Sequence, residues 1–176
     1  LLCITSRNGS SEMFRILLDH GADKNGKTQK GDTPLICAAR NGHIECLEHL
    51  LELGVPVNDR GHRGWTALHW ASLNGRYEIA ATLVAYGAEI DALTDDGSSC
   101  IYLACLSGHG NLVEDMVKYG ANVFTVDHKG DTPLHAAARQ NGSALKPLLS
   151  SNAAYHRNFA GESPIDAALV RGHRKF

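Results

Sequence analysis

Histidine and cysteine side chains are the first candidates for chemistry in this sequence. His43, Cys46 and His49 follow one another at H-x2-C-x2-H spacing. Imidazole and thiolate groups bind zinc, but zinc sites normally draw four ligands from two separated pairs. The sequence contains no second pair, so we expect these residues to bind no metal and the protein to hold no cofactor.

The sequence also lacks a recognisable catalytic arrangement. His69 and His135 have no nucleophile or acid at meaningful spacing. Asp95 and Asp96 are adjacent, which is more typical of a solvated turn tip than of two carboxyls that share a proton. No GxxxxGK[ST] loop, GxSxG elbow or kinase-like motif set occurs. The sequence therefore predicts a protein that is not an enzyme.

The composition is that of a soluble, folded protein. Of the 176 residues, 43% are hydrophobic and 20% are charged, and the formal net charge is −2. These values exclude a disordered chain and a general attraction to polyanions. No apolar run approaches the roughly 18 residues that a membrane span requires, so we expect no membrane insertion.

Cysteine usage indicates the redox compartment. The five cysteines include no CxxC pair. Their odd number favours small buried thiols in a reducing compartment over a disulfide framework. We therefore expect a cytoplasmic or nuclear protein.

A period of 33 residues organises the chain. Residues 31–42 read GDTPLICAARNG, and residues 130–142 read GDTPLHAAARQNG. Turn glycines recur at this interval, at Gly31, Gly64, Gly97 and Gly130. A fixed period of this size indicates an array of stacked structural repeats.

The clearest repeat predicts two short helices followed by a polar turn. Thr33 is a suitable N-cap, and Pro34 suits the first helical position. Asn41 and Gly42 end this helix within about two turns. A second helix ends at Gly54. Its apolar residues fall on one face and are Ile44, Leu47, Leu50 and Leu51.

The period, the glycines and the helix pairs resemble the ankyrin-repeat family across essentially the whole chain. The family's T-P-L-H-x-A signature is present from Thr132 to Ala137, and in part from Thr66 to Ala71. The resemblance implies an all-α solenoid of stacked helix-turn-helix units with β-turn or hairpin tips. It also implies that the signature histidines His69 and His135 brace the turns between repeats, and that His43 holds the family's Gly-His position.

The repeats are expected to form a single array. Their approximate bounds are 1–27, 28–60, 61–93, 94–126, 127–157 and 158–176. The first and last are incomplete, so we interpret the sequence as an excerpt of a longer protein. The fifth repeat is irregular, because Pro147 lies in its second helix and Asn152 replaces the glycine at its end. We expect that helix to be shortened and locally weak.

The resemblance implies a partner-binding surface made of turn tips and first helices, on the concave side of the array. The candidate residues are Arg40, Arg63, Trp65, Leu73, Asn74, Asp95, Asp96, Leu106, Lys129 and Arg139. Their charges alternate in sign along the array. Alternation suits a protein or peptide of mixed charge better than the uniform phosphate backbone of a nucleic acid. We expect the array to be monomeric.

Trp65 departs from the pattern of its position. The equivalent residues are polar, namely Asp32, Ser98, Asp131 and Glu162. Leu73 and Leu106 stand where other repeats have arginine, so the three residues together form a candidate apolar strip. One interpretation is that Trp65 anchors a partner, as tryptophans commonly do at interfaces. The other is that it packs on a neighbouring turn beside Trp70 and contacts no partner.

These patterns favour a protein-interaction module, a scaffold or adaptor without catalysis. An alternative is a regulatory or substrate-recruiting ankyrin segment of a larger enzyme or channel. A purely structural spacer is a third hypothesis, which the apolar residues at positions 65, 73 and 106 disfavour. Fold alone does not decide among them.

Overall fold

The computed structural model describes residues 1–140, 144–149 and 152–170. Within these ranges the protein is all-α, with ten α-helices and an isolated β-bridge between Leu93 and Ser99 as its only extended pairing. Among the described residues, the predicted helix pairs are present in the first four repeats.

The helices alternate between two roles. First helices of the repeats are α1 (Leu2–Asn8), α3 (Pro34–Asn41), α5 (Ala67–Leu73), α7 (Cys100–Leu106), α9 (Pro133–Gln140) and α10 (Pro164–Val170). Second helices are α2 (Ser11–Asp19), α4 (Ile44–Glu52), α6 (Tyr77–Ala85) and α8 (Gly110–Lys118). Short 3-10 turns cover His62–Gly64 and Asn152–Tyr155.

Local sequence explains where the first helices begin and end. The Thr33 hydroxyl accepts a hydrogen bond from the Ile36 amide at 3.3 Å, and Pro34 follows at the first helical position. Gly42 adopts the left-handed conformation with φ of 86°, and its amide donates to the Ala38 carbonyl. Both helix ends thus satisfy backbone groups that would otherwise lack partners.

The chain divides into two compact bodies. The N-terminal body comprises residues 1–71 and 76–89, and the C-terminal body comprises residues 72–75 and 90–176. In the N-terminal body, α1 packs on α3, and α3 packs on α4. Ala38, Ala39, Leu47 and Leu50 are fully buried there. Small residues on α3 allow this close helix approach, and each buried leucine contributes about 1.5–3 kcal/mol.

The C-terminal body repeats the same arrangement. Its first helices α7, α9 and α10 pack in succession, and α8 packs on α7. Ile101, Ala104 and Ala137 are fully buried on first helices, as is Val113 on α8. Apolar burial of this kind between neighbouring repeats is the main source of stability in a repeat array.

The fifth repeat departs from the pattern at Pro147. Residues 144–149 form turns where the other repeats have a second helix, although Ala144 and Leu148 are buried. Proline removes a helical hydrogen bond and clashes with the preceding turn. The predicted shortening is confirmed for these six positions, while residues 141–143, 150 and 151 lie outside the described ranges.

Candidate functional site

The signature histidines form hydrogen bonds within their own turns, and His135 also bonds to the next repeat. His135 is buried, and its Nδ1 accepts a hydrogen bond from the Thr132 amide at 3.1 Å. Its Nε2 therefore carries the proton and donates to the Glu162 carbonyl of the next repeat at 3.0 Å. His69 is buried and binds Thr66 in the same way. The predicted bracing between repeats is thus confirmed at His135.

The H-x2-C-x2-H residues have separate structural roles. The Nε2 of His43 donates to the Arg7 carbonyl at 2.9 Å. Cys46 is buried, and this burial raises the pKa of its thiol. The His49 ring packs edge-on against Phe14 at a centroid distance of 6.1 Å. Over the described ranges, no group of three or more His, Cys, Asp or Glu side chains is placed to hold a metal ion.

Two tryptophans and an ion pair meet in the N-terminal body. Trp65 and Trp70 are half-buried, with ring centroids 4.4 Å apart and planes tilted by 40°. The guanidinium carbon of Arg40 lies 3.8 Å from the Trp70 ring centroid. Nη2 of Arg40 also donates to Oδ2 of the buried Asp32 at 2.6 Å. We name Asp32, Arg40, Trp65 and Trp70 the tryptophan cluster.

The turn that precedes Trp65 has an unusual backbone. Arg63 is exposed and adopts φ of 56°, the left-handed region that residues other than glycine rarely occupy. The His62 amide holds this turn in place by donating to Oδ1 of Asp32 at 3.0 Å. The turn of one repeat is thereby tied to the buried aspartate of the preceding one, and Arg63 faces solvent at its tip.

The C-terminal body contains a second copy of the ion pair. Arg139 forms hydrogen bonds to both carboxylate oxygens of Asp131, and Nδ2 of Asn158 donates to Oδ1 of Asp131 at 2.8 Å. Burial opposes ionisation of Asp131, but the bonds from Arg139 and Asn158 outweigh it and lower its pKa. The same bonding raises the pKa of Arg139. Both candidate arginines, Arg40 and Arg139, are therefore engaged by an aspartate eight positions earlier.

The remaining apolar candidates lie at the ends of first helices. Leu73 is half-buried, and its carbonyl accepts a hydrogen bond from Nε2 of His109 at 3.1 Å. Asn74 is exposed beside it, and Leu106 is 36% exposed at the equivalent place in the following repeat. Leu73 and Leu106 thus present apolar atoms within the C-terminal body.

The turn-tip candidates of the C-terminal body are charged and exposed. They are Asp95, Asp96 and Lys129. Oδ1 of Asp96 accepts a hydrogen bond from the Thr94 hydroxyl at 2.8 Å, and the Lys129 amide donates to Asp127 at 2.8 Å. Intra-turn bonds hold these backbones, while the charged groups remain in contact with solvent.

Two features of these surfaces were not predicted from the sequence. One is the engagement of Asp32 with Arg40, although an aspartate and an arginine eight residues apart recur at Asp131 and Arg139. The other is the role of Asn58, whose Nδ2 donates to the Gly87 carbonyl at 3.1 Å. Asn25 and Asn58 are 33 residues apart in the sequence, but the bonding partners of Asn58 depend on the tertiary structure.

The comparisons with known proteins agree with this geometry. A family model described as ankyrin repeats, in three copies, matches residues 2–94, 83–159 and 101–176. No curated protein matches the chain significantly. No helix among the described residues has the length and apolar character needed to cross a membrane. The chain therefore belongs to the ankyrin-repeat family, and its fold is the all-α solenoid of stacked helix pairs that this family shares.

Proposed function

We propose that this protein is a scaffold or adaptor that binds a protein or peptide partner on the concave face of the array, made of turn tips and first helices. Ankyrin repeats are generally non-catalytic, protein-interaction modules. The observation that carries the proposal is the tryptophan cluster, which joins two aromatic rings to an arginine at one of these turns.

The cluster has the composition and rigidity of an interface anchor. Tryptophan and arginine are enriched among the residues that dominate binding energy. The ring contact with Trp70 and the Asp32 ion pair hold Trp65 and Arg40 in place before any partner binds. Binding therefore costs less side-chain entropy in this protein than it would if Trp65 and Arg40 were mobile.

Packing of Trp65 on Trp70 is compatible with this function. The two rings are in contact, as one of the two interpretations of the sequence expected. Trp65 nevertheless stays only half-buried, so part of its ring is accessible to a partner. The contact with Trp70 orients that accessible part instead of hiding it.

Free thiols support a cytoplasmic or nuclear location. All five cysteines are unpaired, and Cys37, Cys46, Cys100 and Cys105 are buried. Proteins that use cysteine in this way are typical of reducing compartments. We further propose that the array acts as a monomer and that its partner carries charges of both signs.

Affinity capture with matched variants tests the proposal. Wild-type protein, Trp65→Ala and Phe124→Ala would be used to capture proteins from cell lysate. Phe124 is an exposed aromatic residue of the C-terminal body, so it controls for a general loss of surface apolarity. We expect at least one captured protein to be lost with Trp65→Ala and kept with Phe124→Ala. Identical capture by all three proteins would remove Trp65 from the interface.

A further inference from the structure

We infer that the N-terminal body recognises an acidic peptide segment, which it binds in extended form across its turn tips. This inference rests on the proposed function and specifies the chemistry of the partner. It is carried by the distribution of charge between the first and second helices, the spacing of two exposed cations and the position of Trp65.

Charge in the N-terminal body is segregated by element. The second helices α2, α4 and α6 are acidic, with Arg15 on α2 and Arg76 at the N-cap of α6 as their cations. Their exposed carboxylates are Glu12, Asp19, Glu45, Glu48, Glu52 and Glu78. The first helices and the turns before them carry the cations Arg7, Lys24, Lys27, Lys30, Arg40, Arg60 and Arg63. A negatively charged partner is therefore attracted to the turn side and repelled from the second helices.

Two carboxylates on the turn side are already engaged by cations of this chain, so the turn tips remain cationic. Asp32 is buried and engaged by Arg40. Asp59 lies 3.6 Å from the Lys27 ammonium group. Among the described residues, Lys30 and Arg63 form no ion pair, and both are exposed. These two side chains are thus available to carboxylates of a partner.

The spacing of Lys30 and Arg63 sets the register of the peptide. They are 33 residues apart and occupy the same place in successive repeats. Helices of adjacent repeats pack about 8–10 Å apart. An extended peptide in the polyproline II conformation advances by about 3.1 Å per residue and returns to the same face every third residue, so carboxylates three positions apart match this separation. Trp65, two residues after Arg63, then offers its half-buried ring to an apolar side chain of the same peptide.

A peptide fits this surface better than a nucleic acid. A phosphate backbone carries a charge at every nucleotide, and its binding gains from many contacts with lysine and arginine. The turn side instead mixes its cations with Asp23 and Asp59. Isolated cations beside a tryptophan favour a peptide in which widely spaced carboxylates are separated by apolar residues.

Tryptophan fluorescence provides a direct assay, because the chain has two tryptophans and both belong to the cluster. The full chain would be titrated with a short peptide that has glutamate at every third position and a central leucine. Two control peptides have the same composition with adjacent glutamates, or lysine in place of glutamate. A single-stranded oligonucleotide is titrated as the fourth ligand. We expect the first peptide to change the emission at the lowest concentration, with an affinity that falls as salt rises.

Matched charge reversals locate the site. Arg63→Glu is expected to weaken peptide binding by about tenfold or more, since like charges then face each other. Arg15→Glu makes the same change on α2 and is expected to leave the affinity unaltered. Circular dichroism of each variant checks that it folds, and Arg63→Gln provides a milder substitution at the same backbone conformation.

Three results would overturn the inference: tighter binding of the oligonucleotide, equal binding of all three peptides, or unchanged affinity of Arg63→Glu. If captured proteins depend on Trp65 while the acidic peptide does not bind, the inference fails and the proposed function stands. If neither the peptide nor any captured protein depends on the cluster, both fail.

Discussion

The guanidinium carbon of Arg40 lies 3.8 Å from the centroid of the Trp70 ring. The same side chain donates to the buried carboxylate of Asp32. One arginine thus joins a cation–π contact to an ion pair and links the first helices of two successive repeats in the N-terminal body. The Trp70 ring that Arg40 contacts is also the ring on which Trp65 packs.

Replacing Arg40 tests the cost of leaving Asp32 buried without its partner. Arg40→Ala is expected to destabilise the protein by about 2–4 kcal/mol, because a buried charge then loses its counterion. The double variant Asp32→Ser with Arg40→Leu reproduces the residues found at Ser98 and Leu106. We expect it to lose less stability than Arg40→Ala alone. Urea unfolding measures both, and a larger loss in the double variant would contradict this account.

Asn58 is expected to contribute to stability through two side-chain hydrogen bonds to the corresponding turn of the next repeat. Its Nδ2 donates to the Gly87 carbonyl, and its Oδ1 accepts from the Glu89 amide at 2.9 Å. Asn58→Ala removes both bonds and should cost about 1–2 kcal/mol. Thermal or urea unfolding provides the measurement.

Asn25 is the matched control for Asn58. It occupies the equivalent position one repeat earlier, but the residue that corresponds to Glu89 is Pro56, which has no amide hydrogen. Asn25→Ala should therefore change stability by no more than about 0.5 kcal/mol. Equal losses of unfolding free energy in Asn58→Ala and Asn25→Ala would show that the two Asn58 hydrogen bonds contribute nothing to stability.

Gly75 is expected to tolerate no side chain, because the His109 ring lies against it. A Cβ on Gly75 would lie 2.6 Å from atoms of that ring, and φ at this residue is 61°. Gly54 has a similar φ of 71°, but a Cβ added to Gly54 would have no atom within 4 Å. Gly54→Ala should cost only the backbone strain, about 1–2 kcal/mol, and Gly75→Ala should cost more.

Adding His109→Ala to Gly75→Ala distinguishes the steric cause from backbone strain. The ring is then absent, so the two substitutions should be less damaging together than the sum of their separate effects. Additive losses in thermal unfolding would mean that the ring does not press on this position.

His135 is expected to make stability depend on pH. Burial lowers the pKa of its imidazole, although the bond to the Glu162 carbonyl opposes this shift. Below the unfolded value of about 6.5, the unfolded chain therefore binds more protons than the folded protein, and stability falls as pH falls.

His135→Asn retains an acceptor for Thr132 but does not titrate in this range. The slope of unfolding free energy against pH, measured between pH values of about 5 and 7, should be smaller in this variant. The lowered pKa of Asp131 affects stability in a separate pH range. The ionised carboxylate stabilises the folded protein, and this contribution is lost only as pH falls below about 4. An unchanged slope would mean that His135 does not carry the linkage.

The sequence by itself determined the local structure. Thr33, Pro34 and Gly42 mark the ends of α3 because helix capping depends on residues within one turn of each other. Pro147 predicted a shortened second helix in the fifth repeat for the same local reason, and its described residues 144–149 form turns. The 33-residue period then predicted the stacking, since a helix pair buries its apolar face only against another pair. The individual partner-binding residues stay predictions.

Only the tertiary structure decided which side chains meet between repeats. The guanidinium of Arg40 over the Trp70 ring, the ring of His109 against Gly75, and the bond between Asn58 and Glu89 depend on how helices and turns are offset in space. A difference of one or two ångströms in that offset makes or breaks such contacts. The period specifies that repeats stack, whereas the packing of their cores sets the distances at which half-buried residues such as Arg40 contact their partners.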